Sequence, residues 1–551
     1  MKTLCKRYAT IFLFFSFPTL VTGIFSFFVN LKWFPIAEML RGLIVDFLIF
    51  APSIILPSFL SLFYVLALFP ALLVITLTSA LHTFIYKSPP SKFAIQSILE
   101  TSFNESIEFL HEFTTPSTCL MALILLIVYF FIIKKTSYYI KNTDKNFTSK
   151  LIILIIASCV AFSVHLKGNK LLLSNPSYLT AYSVSQYSND IHIINDIRKT
   201  RNNIHFNNIQ FATSPKAGPK NYIFIIGESA SKHHMSIYGY GRQTTPKLEQ
   251  LSQDCIVFSD VVSADTHTIP ALRKTLLFHE GTKEQDILKA PSIIGLLRDA
   301  GFKTFWLSNQ TANSDGLTGT SVLAGDAHYQ AFLNKSRHEG QSSSYDEVLL
   351  PELQKALADP APNKAIFLHL IGSHLSYSLR YPKDFAKFHE RCDATSEQWR
   401  IDASDYINAY DNSIYYTDSI IEEVVKNVAA VEGESFVLYF SDHGQEVYDT
   451  RNMRGQDAKN PSRNMIEIPL LCWLSPSYRA ANSDMVSRME KAKDRPFSMA
   501  WFAQTAADLA RVSFDGAHPE RSLFAEDFIT RDRPLPNGRT YEDMFGKKAR
   551  Q

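Results

Sequence analysis

Hydrophobic residues dominate the first third of the chain and form runs long enough to cross a membrane. Residues 11–29 carry no charged side chain, and about 20 apolar residues in a helix cover about 30 Å of hydrocarbon. The basic start of the chain also fits a cleavable signal peptide, but the first run is longer than a signal core and further runs follow it. The pattern predicts five spans, divided at Pro57 between the second and the third: 11–29, 40–62, 63–86, 119–134 and 150–166.

Lysine and arginine mark the side of the membrane on which the loops lie. Lys2, Lys6 and Arg7 precede the first span, and five lysines lie between residues 134 and 150, around the loop from the fourth span to the fifth. The positive-inside rule places both groups in the cytoplasm, which requires an even number of spans between them. Four predicted spans satisfy this. The fifth span then carries everything after about residue 167 to the outer side, which is the periplasm in a Gram-negative cell.

The pattern changes after a polar segment rich in Asn and Ser at 167–219, which is predicted to be a linker with an amphipathic helix near 189–200. Uncharged strands that alternate with helices indicate a mainly parallel sheet covered on both faces, an α/β/α sandwich. Ligands of such sheets bind beyond the carboxyl ends of the strands. The predicted strands are 222–227, 304–308, 365–370 and 435–441, and the predicted helices are 292–300, 347–358 and 404–428.

Whole-chain composition conceals this division. The chain has 55 Lys and Arg against 53 Asp and Glu, and its mean hydropathy is −0.03. These averages argue against a basic nucleic-acid binder and against a disordered chain. The predicted organisation is a membrane domain at 1–166 with an outer loop at 87–118, the linker at 167–219, and a soluble domain at 220–551.

Carboxylate and imidazole groups follow three of the predicted strands. Glu228 follows the first strand, His374 ends the IGSH segment after the third, and Asp442 and His443 follow the fourth. Taken singly, such residues are commonly turn residues, helix caps or structural histidines. Together, at three strand ends, they favour a site for a divalent metal of the zinc type. The six cysteines show no paired ligand spacing.

Two features of the membrane half carry unusual charges. The outer loop contains FAIQSILETSFNESIEFL, in which Glu100, Glu105 and Glu108 lie among apolar residues at helical spacing. This segment fits an interfacial helix with carboxylates near amine headgroups, and it also fits a solvated acidic face. Asp46 lies inside an apolar run, where an ionisable group needs a partner or a cavity, so a functional and a packing role both fit.

Five motifs in a fixed order resemble one family. They are GESASKHHMSIYGYGRQTTPKL (227–248), FSDVVSADTHTIPAL (258–272), IGSH (371–374), INAYDNSIYYTDSII (407–421) and SDHGQEVYDT (441–450). Nearly the whole chain resembles the phosphoethanolamine transferases of Gram-negative inner membranes. These belong to the alkaline phosphatase/sulfatase-like superfamily and include the lipid A enzymes behind colistin resistance. EVYDT and IEIPLLCW (466–473) are more similar to the branch that modifies the lipopolysaccharide core.

The resemblance implies a role for individual residues. Thr268 matches the nucleophile, with Ser263 and Thr266 as neighbouring hydroxyls. His374 matches a histidine that binds the phosphate or a second zinc. The residues that match zinc ligands, together with Thr268 itself, are Glu228, Asp442 and His443. The residues of the acidic loop that match positions lining the substrate site are Glu100, Thr101 and Glu105, which favours a binding role over a solvated face.

The chain also departs from the family pattern. Many relatives have a second histidine about a dozen residues after the Asp-His pair, whereas here no histidine lies between His443 and His518. Gln456 or Asp457 would have to serve in its place, and Gln445 stands where Glu is frequent. Cys255, Cys392 and Cys472 allow one disulfide at most. We therefore expect one zinc ion, with Mn²⁺ or Mg²⁺ as alternatives, and leave open a second metal site.

The function implied by the resemblance is transfer of phosphoethanolamine from phosphatidylethanolamine to a lipopolysaccharide acceptor, either a core sugar or lipid A, through a covalent threonine intermediate. One alternative is a phosphoglycerol or phosphoethanolamine transferase that acts on a periplasmic glucan. Another is a catalytically inactive membrane scaffold, which the absent histidine favours. A sulfatase needs a Cys/Ser-x-Pro/Ala-x-Arg motif, and none occurs at the nucleophile position. Membrane lipids are expected partners and nucleic acid is not.

Overall fold

The computed structural model describes residues 2–30, 34–86, 88–101, 103–142, 147–167, 169–201, 204–211, 218–280, 284–310, 319–334, 344–391 and 397–546. The chain divides into two compact units, Met1–Asn189 and Asp190–Gln551. The first unit is helical, and the second is built around a mixed β-sheet.

The first unit consists of helices of 4 to 29 residues, and the last of them continues into the second unit. Three of the described helical segments have the length and composition to cross a membrane, namely Cys5–Phe28, Ser58–Tyr86 and Pro116–Asn142, and Lys150–Ala161 is a shorter apolar stretch. The count of five spans stays a prediction. The helices are α1 (Lys2–Asn30), α2 (Phe34–Phe50), α3 (Pro52–Ile55), α4 (Ser58–Tyr86), α5 (Lys92–Glu100), α6 (Phe103–Phe113), α7 (Pro116–Asn142), α8 (Phe147–Lys167), α9 (Asn169–Leu172) and α10 (Pro176–Arg201).

The predicted bounds of the second span, 40–62, are wrong. Helix α2 ends at Phe50, the single turn of α3 follows, and α4 begins only at Ser58. Leu56 is extended, with φ −69° and ψ 153°. Proline disfavours the helical conformation in the residue before it, so Pro57 stops the helix at the position where the sequence suggested a boundary.

The first unit buries an aromatic cluster and exposes apolar side chains. Phe14, Phe15 and Tyr129 are fully buried, whereas Phe59 and Phe63 are each 72% exposed. Exposed apolar surface of this kind is typical of helices that face lipid. Asp46 is buried as well, and Asn175 Nδ2 donates a hydrogen bond to Asp46 Oδ1 at 2.6 Å. Asp46 therefore has a packing partner within its own unit.

Seven strands form the central sheet of the second unit, in the order β3-β11-β8-β2-β7-β5-β6. The five strands from β8 to β6 are mutually parallel, and β11 runs antiparallel to both of its neighbours. The predicted mainly parallel sheet is confirmed. The strands are β1 (Gln210–Phe211), β2 (Lys220–Gly227), β3 (Cys255–Phe258), β4 (Val261–Val262), β5 (Lys303–Ser308), β6 (Tyr329–Phe332), β7 (Asn363–His369), β8 (Glu434–Ser441), β9 (Glu446–Val447), β10 (Arg454–Gly455), β11 (Leu470–Leu474), β12 (Phe497–Ser498) and β13 (Val512–Ser513).

Helices cover both faces of this sheet because successive side chains of a strand point to opposite faces. In β2, Phe224 packs into one hydrophobic core and Ile225 into the other. The helices of the second unit are α11 (Pro246–Gln250), α12 (Thr268–Leu276), α13 (Glu284–Lys289), α14 (Ile293–Asp299), α15 (Gly319–Ala324), α16 (Leu349–Leu357), α17 (Gln398–Asp402), α18 (Ser404–Ala429), α19 (Arg463–Ile466), α20 (Pro476–Ala481), α21 (Ser483–Lys491), α22 (Phe502–Leu509) and α23 (Tyr541–Phe545).

The same alternation excludes one disulfide. Cys255 and Cys472 lie on the adjacent strands β3 and β11, but Cys255 belongs to one core and Cys472 to the other. Their Cβ atoms point to opposite faces of the sheet, so the two sulfurs cannot bond. Both thiols are free, and Cys392 lies outside the described residues.

Candidate metal centre and active site

The register of β2 and β8 places two carboxylates side by side. Gly227 pairs with Ser441, so the next residues, Glu228 and Asp442, leave the sheet at the same level. Asp442 is held by its backbone, because its N–H donates to the Gly227 carbonyl at 3.0 Å. Its Oδ1 accepts the N–H of Ser229 at 3.0 Å and that of His443 at 2.7 Å. Asp442 Oδ2 is buried and accepts no hydrogen bond from any described residue.

His443 completes a compact group with the two carboxylates. One potential ligand atom from each of Glu228, Asp442 and His443 lies within 4.8 Å of the others, and all three residues are buried. His443 Nδ1 lies 2.8 Å from the carbonyl of Gly444. A carbonyl only accepts, so Nδ1 carries a hydrogen, and in the neutral imidazole the lone pair is then on Nε2. His443 Nε2 lies 3.5 Å from both Glu228 Oε1 and Asp442 Oδ2.

The electrostatics of this group favour a bound cation. Burial and the Asp442 carboxylate raise the pKa of Glu228 well above its usual range. Within the described ranges, no lysine or arginine lies within ion-pairing distance of either carboxylate, and His443 is their basic neighbour. Buried charges need a counter-charge. Two carboxylate oxygens and an imidazole nitrogen, with one oxygen left without a donor, fit the ligand preferences of zinc.

Thr268 is the hydroxyl that reaches this group. It is the first residue of α12, and its Oγ1 donates to Glu228 Oε2 at 3.2 Å and lies 3.3 Å from His443 Nε2. The two rival hydroxyls are engaged elsewhere. Ser263 Oγ donates to the Asp265 carbonyl, and Thr266 Oγ1 lies 2.9 Å from His267 Nδ1.

The loop that carries His374 is packed against Glu228. The N–H of Ser373 donates to the Glu228 carbonyl at 2.9 Å. Gly372 has φ +49°, and a Cβ at this position would lie 2.8 Å from the Glu228 carbonyl oxygen. Only glycine tolerates both the conformation and the close approach. His374 itself is half-buried, one residue beyond this contact.

The other predicted site residues have local roles or lie outside the description. Asp457 Oδ1 accepts the N–H groups of Lys459 and Asn460 at 3.0 and 3.2 Å, as in a turn, and Gln456 beside it is half-buried. Thr101 Oγ1 donates to the Ser97 carbonyl at 2.6 Å. The side chains of Glu100 and Glu105 lie outside the described residues. Their predicted roles in substrate binding stay predictions.

Sequence reasoning missed His369, which ends β7. It is fully buried, and burial lowers the pKa of His369 to about 4 although Asp442 opposes this shift. His369 is therefore a neutral imidazole that interacts electrostatically with the Asp442 carboxylate. The signal of His369 in the sequence is its position in the LHLIGSH segment, five residues before His374.

A family model described as Sulfatase matches residues 220–512, which is more than half of the chain. The chain belongs to the sulfatase family. Phosphoethanolamine transferase EptC of Escherichia coli (strain K12) is 35% identical over 324 residues, which cover 58% of this chain and 56% of that protein. The chain therefore spans little more than half of the length of this curated relative.

Two solved structures extend the comparison. The C-terminal periplasmic domain of EptC from Escherichia coli, in complex with Zn, is 32% identical with a TM-score of 0.56, and the match covers 62% of this chain and 99% of that domain. The integral membrane protein lipooligosaccharide phosphoethanolamine transferase A from Neisseria meningitidis is 20% identical with a TM-score of 0.69, covering 93% of this chain and 98% of that protein. At that identity the second likeness concerns the fold alone, and it includes the membrane unit.

Proposed function

We propose that this chain is a zinc-dependent inner-membrane transferase that moves phosphoethanolamine from phosphatidylethanolamine to a lipopolysaccharide acceptor. The observation that carries the proposal is the position of Thr268 Oγ1, which lies 3.2 Å from Glu228 Oε2 and 3.3 Å from His443 Nε2. A hydroxyl in hydrogen-bonding reach of a buried metal-binding group is the arrangement required of an activated nucleophile.

Glu228, Asp442, His443 and the Thr268 hydroxyl would hold one zinc ion, with Mn²⁺ or Mg²⁺ as alternatives. When bound, it lowers the pKa of the threonine hydroxyl and offsets negative charge on the phosphoryl oxygens. The unpaired Asp442 Oδ2 and the fixed tautomer of His443 support this ligand set. A second metal would require Gln456 or Asp457 in place of the absent histidine, and Asp457 already caps a turn.

The reaction proceeds in two displacements at phosphorus. Thr268 Oγ1 forms a bond to the phosphorus of phosphatidylethanolamine while the bond from phosphorus to the diacylglycerol oxygen breaks. The proton that Thr268 loses is balanced by the proton that diacylglycerol gains. A hydroxyl or phosphate of the acceptor then attacks the phosphoethanolamine-threonine, and the bond from phosphorus to Thr268 Oγ1 breaks. Thr268 regains its proton from the acceptor hydroxyl, or from water when the acceptor is an ionised phosphate. His374 stabilises the charge of the phosphoryl oxygens in both steps.

The donor and the acceptor are both confined to a membrane, which agrees with a membrane-anchored enzyme. With the five predicted spans, the catalytic domain lies in the periplasm. The acidic loop binds the ammonium group of the donor through Glu100, Thr101 and Glu105, and both Gln456 and His374 contact substrate. The acceptor is a core sugar or lipid A, and mass spectrometry of lipopolysaccharide from cells with and without the gene locates the added group.

A donor assay tests this function. The purified full-length chain is incubated with vesicles that contain phosphatidylethanolamine or phosphatidylglycerol, and diacylglycerol release is measured. We expect release from phosphatidylethanolamine, its loss in Thr268→Ala, and its retention in Thr266→Ala as the matched hydroxyl control. Release from phosphatidylglycerol alone would contradict the donor and favour the phosphoglycerol transferase.

The absent histidine favours one competing function, an inactive membrane scaffold with a sulfatase fold. Zinc content separates the two, because a scaffold that has lost metal binding has no requirement for the ion. We expect about one zinc per chain after gentle purification. Near-zero occupancy, with no diacylglycerol release after zinc is added back, would favour the scaffold.

A further inference from the structure

Several hydrogen bonds hold the loop between β7 and His374 against the neighbouring elements. Leu370 N–H donates to the Ile226 carbonyl at 2.9 Å, and Ser373 N–H donates to the Glu228 carbonyl at 2.9 Å. The side chain of Ser373 is held as well, since it accepts a hydrogen bond from Ser413 Oγ at 2.8 Å. These bonds tie the start and the end of the loop to β2 and α18.

Asp346 holds the middle of the loop. This residue begins a 3₁₀ turn at Asp346–Val348 and is fully buried. Its Oδ1 accepts the N–H of Ile371 at 2.8 Å, and its Oδ2 accepts the N–H of Gly372 at 2.9 Å. Two consecutive backbone N–H groups that point at one anion fix the local backbone closely. Because Gly372 also packs against Glu228, the carboxylate sets the position of the loop relative to a candidate metal ligand.

Asn309 holds Asp346 in turn. Asn309 follows β5, and its Nδ2 donates to Asp346 Oδ1 at 2.9 Å and to the Ser344 carbonyl at 2.8 Å. Ser344 Oγ donates back to Asn309 Oδ1 at 2.7 Å. A run of hydrogen bonds therefore leads from the end of β5 through Asn309 and Asp346 to the loop. Because both the nitrogen and the oxygen of the Asn309 side chain are hydrogen-bonded, the amide fixes the orientation of the Asp346 carboxylate.

The far side of the loop is held by a positive charge. Arg380 is 2% exposed, and its guanidinium donates to the carbonyls of His374 at 3.2 Å and of Leu375 at 2.7 Å. The amide groups of the loop thus face a carboxylate and its carbonyl groups face a guanidinium. The two charged groups therefore hydrogen-bond to the backbone on either side of Ser373 and stabilise the observed loop conformation.

We propose that Asp346 is a positioning residue of the transfer reaction, which acts by holding the loop that presents His374. The proposal rests on the proposed role of His374 in that reaction. The N–H groups of Ile371 and Gly372 bind different oxygens of Asp346, so asparagine does not reproduce the contact, because its NH₂ group would face one of the two N–H groups. A buried N–H left without an acceptor costs more than the lost bond, so the loop would shift.

A double-mutant cycle tests the coupling. Transfer by the full-length chain in phosphatidylethanolamine vesicles is measured for Asp346→Asn, His374→Ala and the double variant. We expect Asp346→Asn to lower the transfer rate about 10- to 100-fold, as for other residues that orient a catalytic group. We expect it to lower the rate by less than about 2-fold once His374 is already alanine, because residues that act as a unit are not additive.

Amide exchange supplies a second readout. Deuterium uptake of the peptide containing residues 370–375 should rise in Asp346→Asn while bound zinc per chain stays unchanged. Asp384→Asn is the matched control, since Asp384 is an exposed carboxylate in another 3₁₀ turn, Lys383–Phe385, and both uptake and transfer should stay as in the parent chain. If Asp346→Asn fails to fold, Asn309→Ala takes its place in the same cycle.

The outcomes separate this inference from the proposed function. Multiplicative losses in the double variant would overturn the positioning role, as would unchanged deuterium uptake. Full transfer by His374→Ala would also overturn it, while Thr268-dependent transfer would remain intact. Loss of transfer in His374→Ala with non-additive behaviour of Asp346→Asn supports it.

Discussion

The two ends of the strand pair β2–β8 carry buried charges of different kinds. At the amino ends, Lys220 and Glu434 are register partners, and Lys220 Nζ lies 2.9 Å from Glu434 Oε2. At the carboxyl ends, Glu228 and Asp442 are 1% exposed, and their basic neighbour among the described residues is His443. One end is neutralised by the chain itself. The other end is left with an excess of negative charge.

This difference distinguishes a structural ion pair from a candidate binding site within one sheet. A buried pair with both partners present needs nothing further. A buried carboxylate pair without a lysine or arginine nearby either holds a proton or binds a cation, and one ligand atom from each carboxylate and from His443 lies within 4.8 Å of the others. The excess charge at the carboxyl end, rather than burial alone, is what indicates the metal.

The largest effect is expected at the end with excess charge. Asp442→Asn removes one negative charge and the unpaired oxygen, so bound zinc should be lost and transfer should fall about 10³-fold or more. Mass spectrometry of the metal content measures bound zinc, and diacylglycerol release measures transfer. Asp418→Asn is the matched control, because this buried carboxylate accepts the N–H groups of Lys247 and Leu248 in α11. Zinc retained by Asp442→Asn would contradict the assignment of Asp442 as a ligand.

A substitution at the amino ends of β2 and β8, where Lys220 and Glu434 pair, should change the free energy of unfolding but not zinc binding. Lys220→Met leaves Glu434 buried without its cation, and breaking one partner of a buried pair costs about 3–5 kcal/mol of unfolding free energy. Denaturant unfolding of the full chain in detergent measures this loss, and zinc per folded chain should stay constant. Lys303→Met, which changes the half-buried lysine at the start of β5, should have little effect. Loss of zinc in Lys220→Met would contradict the distinction between a structural ion pair at the amino ends of β2 and β8 and a metal site at their carboxyl ends.

A smaller effect is expected from a third set of buried charges. His234 Nδ1 lies 2.6 Å from Asp411 Oδ1, and its Nε2 lies 3.1 Å from Asp449. Burial lowers the pKa of His234, but Asp449 and Asp411 outweigh burial and raise it to about 10. A raised histidine pKa stabilises the fold fully below the unfolded value of about 6.5 and progressively less as pH rises through 10.

The thermal midpoint of the full chain should therefore fall between pH 7 and pH 10, and His234→Asn should flatten that decline. His389→Asn, at an exposed histidine, is the control and should leave the decline unchanged. An identical slope in His234→Asn and the parent chain would contradict the charged state of His234.

The carboxyl-end site could be predicted because strand periodicity and parallel pairing fix where strands end. Runs of uncharged residues identified β2, β5, β7 and β8, and the residues after them followed without knowledge of side-chain packing. The same logic could not reveal Asp346, which reaches the loop from a turn 25 residues earlier in the chain. Hydrogen bonds from side chain to backbone leave no periodic signal in a sequence.

The membrane unit was harder to predict, because hydropathy reports length and composition but not helix ends. The span predicted at 40–62 is divided at Pro57, where the missing N–H and the restricted residue before it end the helix. Cys255 and Cys472 illustrate a similar limit, since only the register of β3 against β11 shows that they face opposite sides.

The central claim is that Thr268 becomes a temporary carrier of phosphoethanolamine. Rapid quenching of the full-length chain with phosphatidylethanolamine, followed by peptide mass spectrometry, measures this directly. We predict a phosphoethanolamine adduct on the peptide that contains Thr268, its disappearance on addition of acceptor, and its absence in Thr268→Ala. An adduct that persists in Thr268→Ala, or one located on another residue, would contradict the claim.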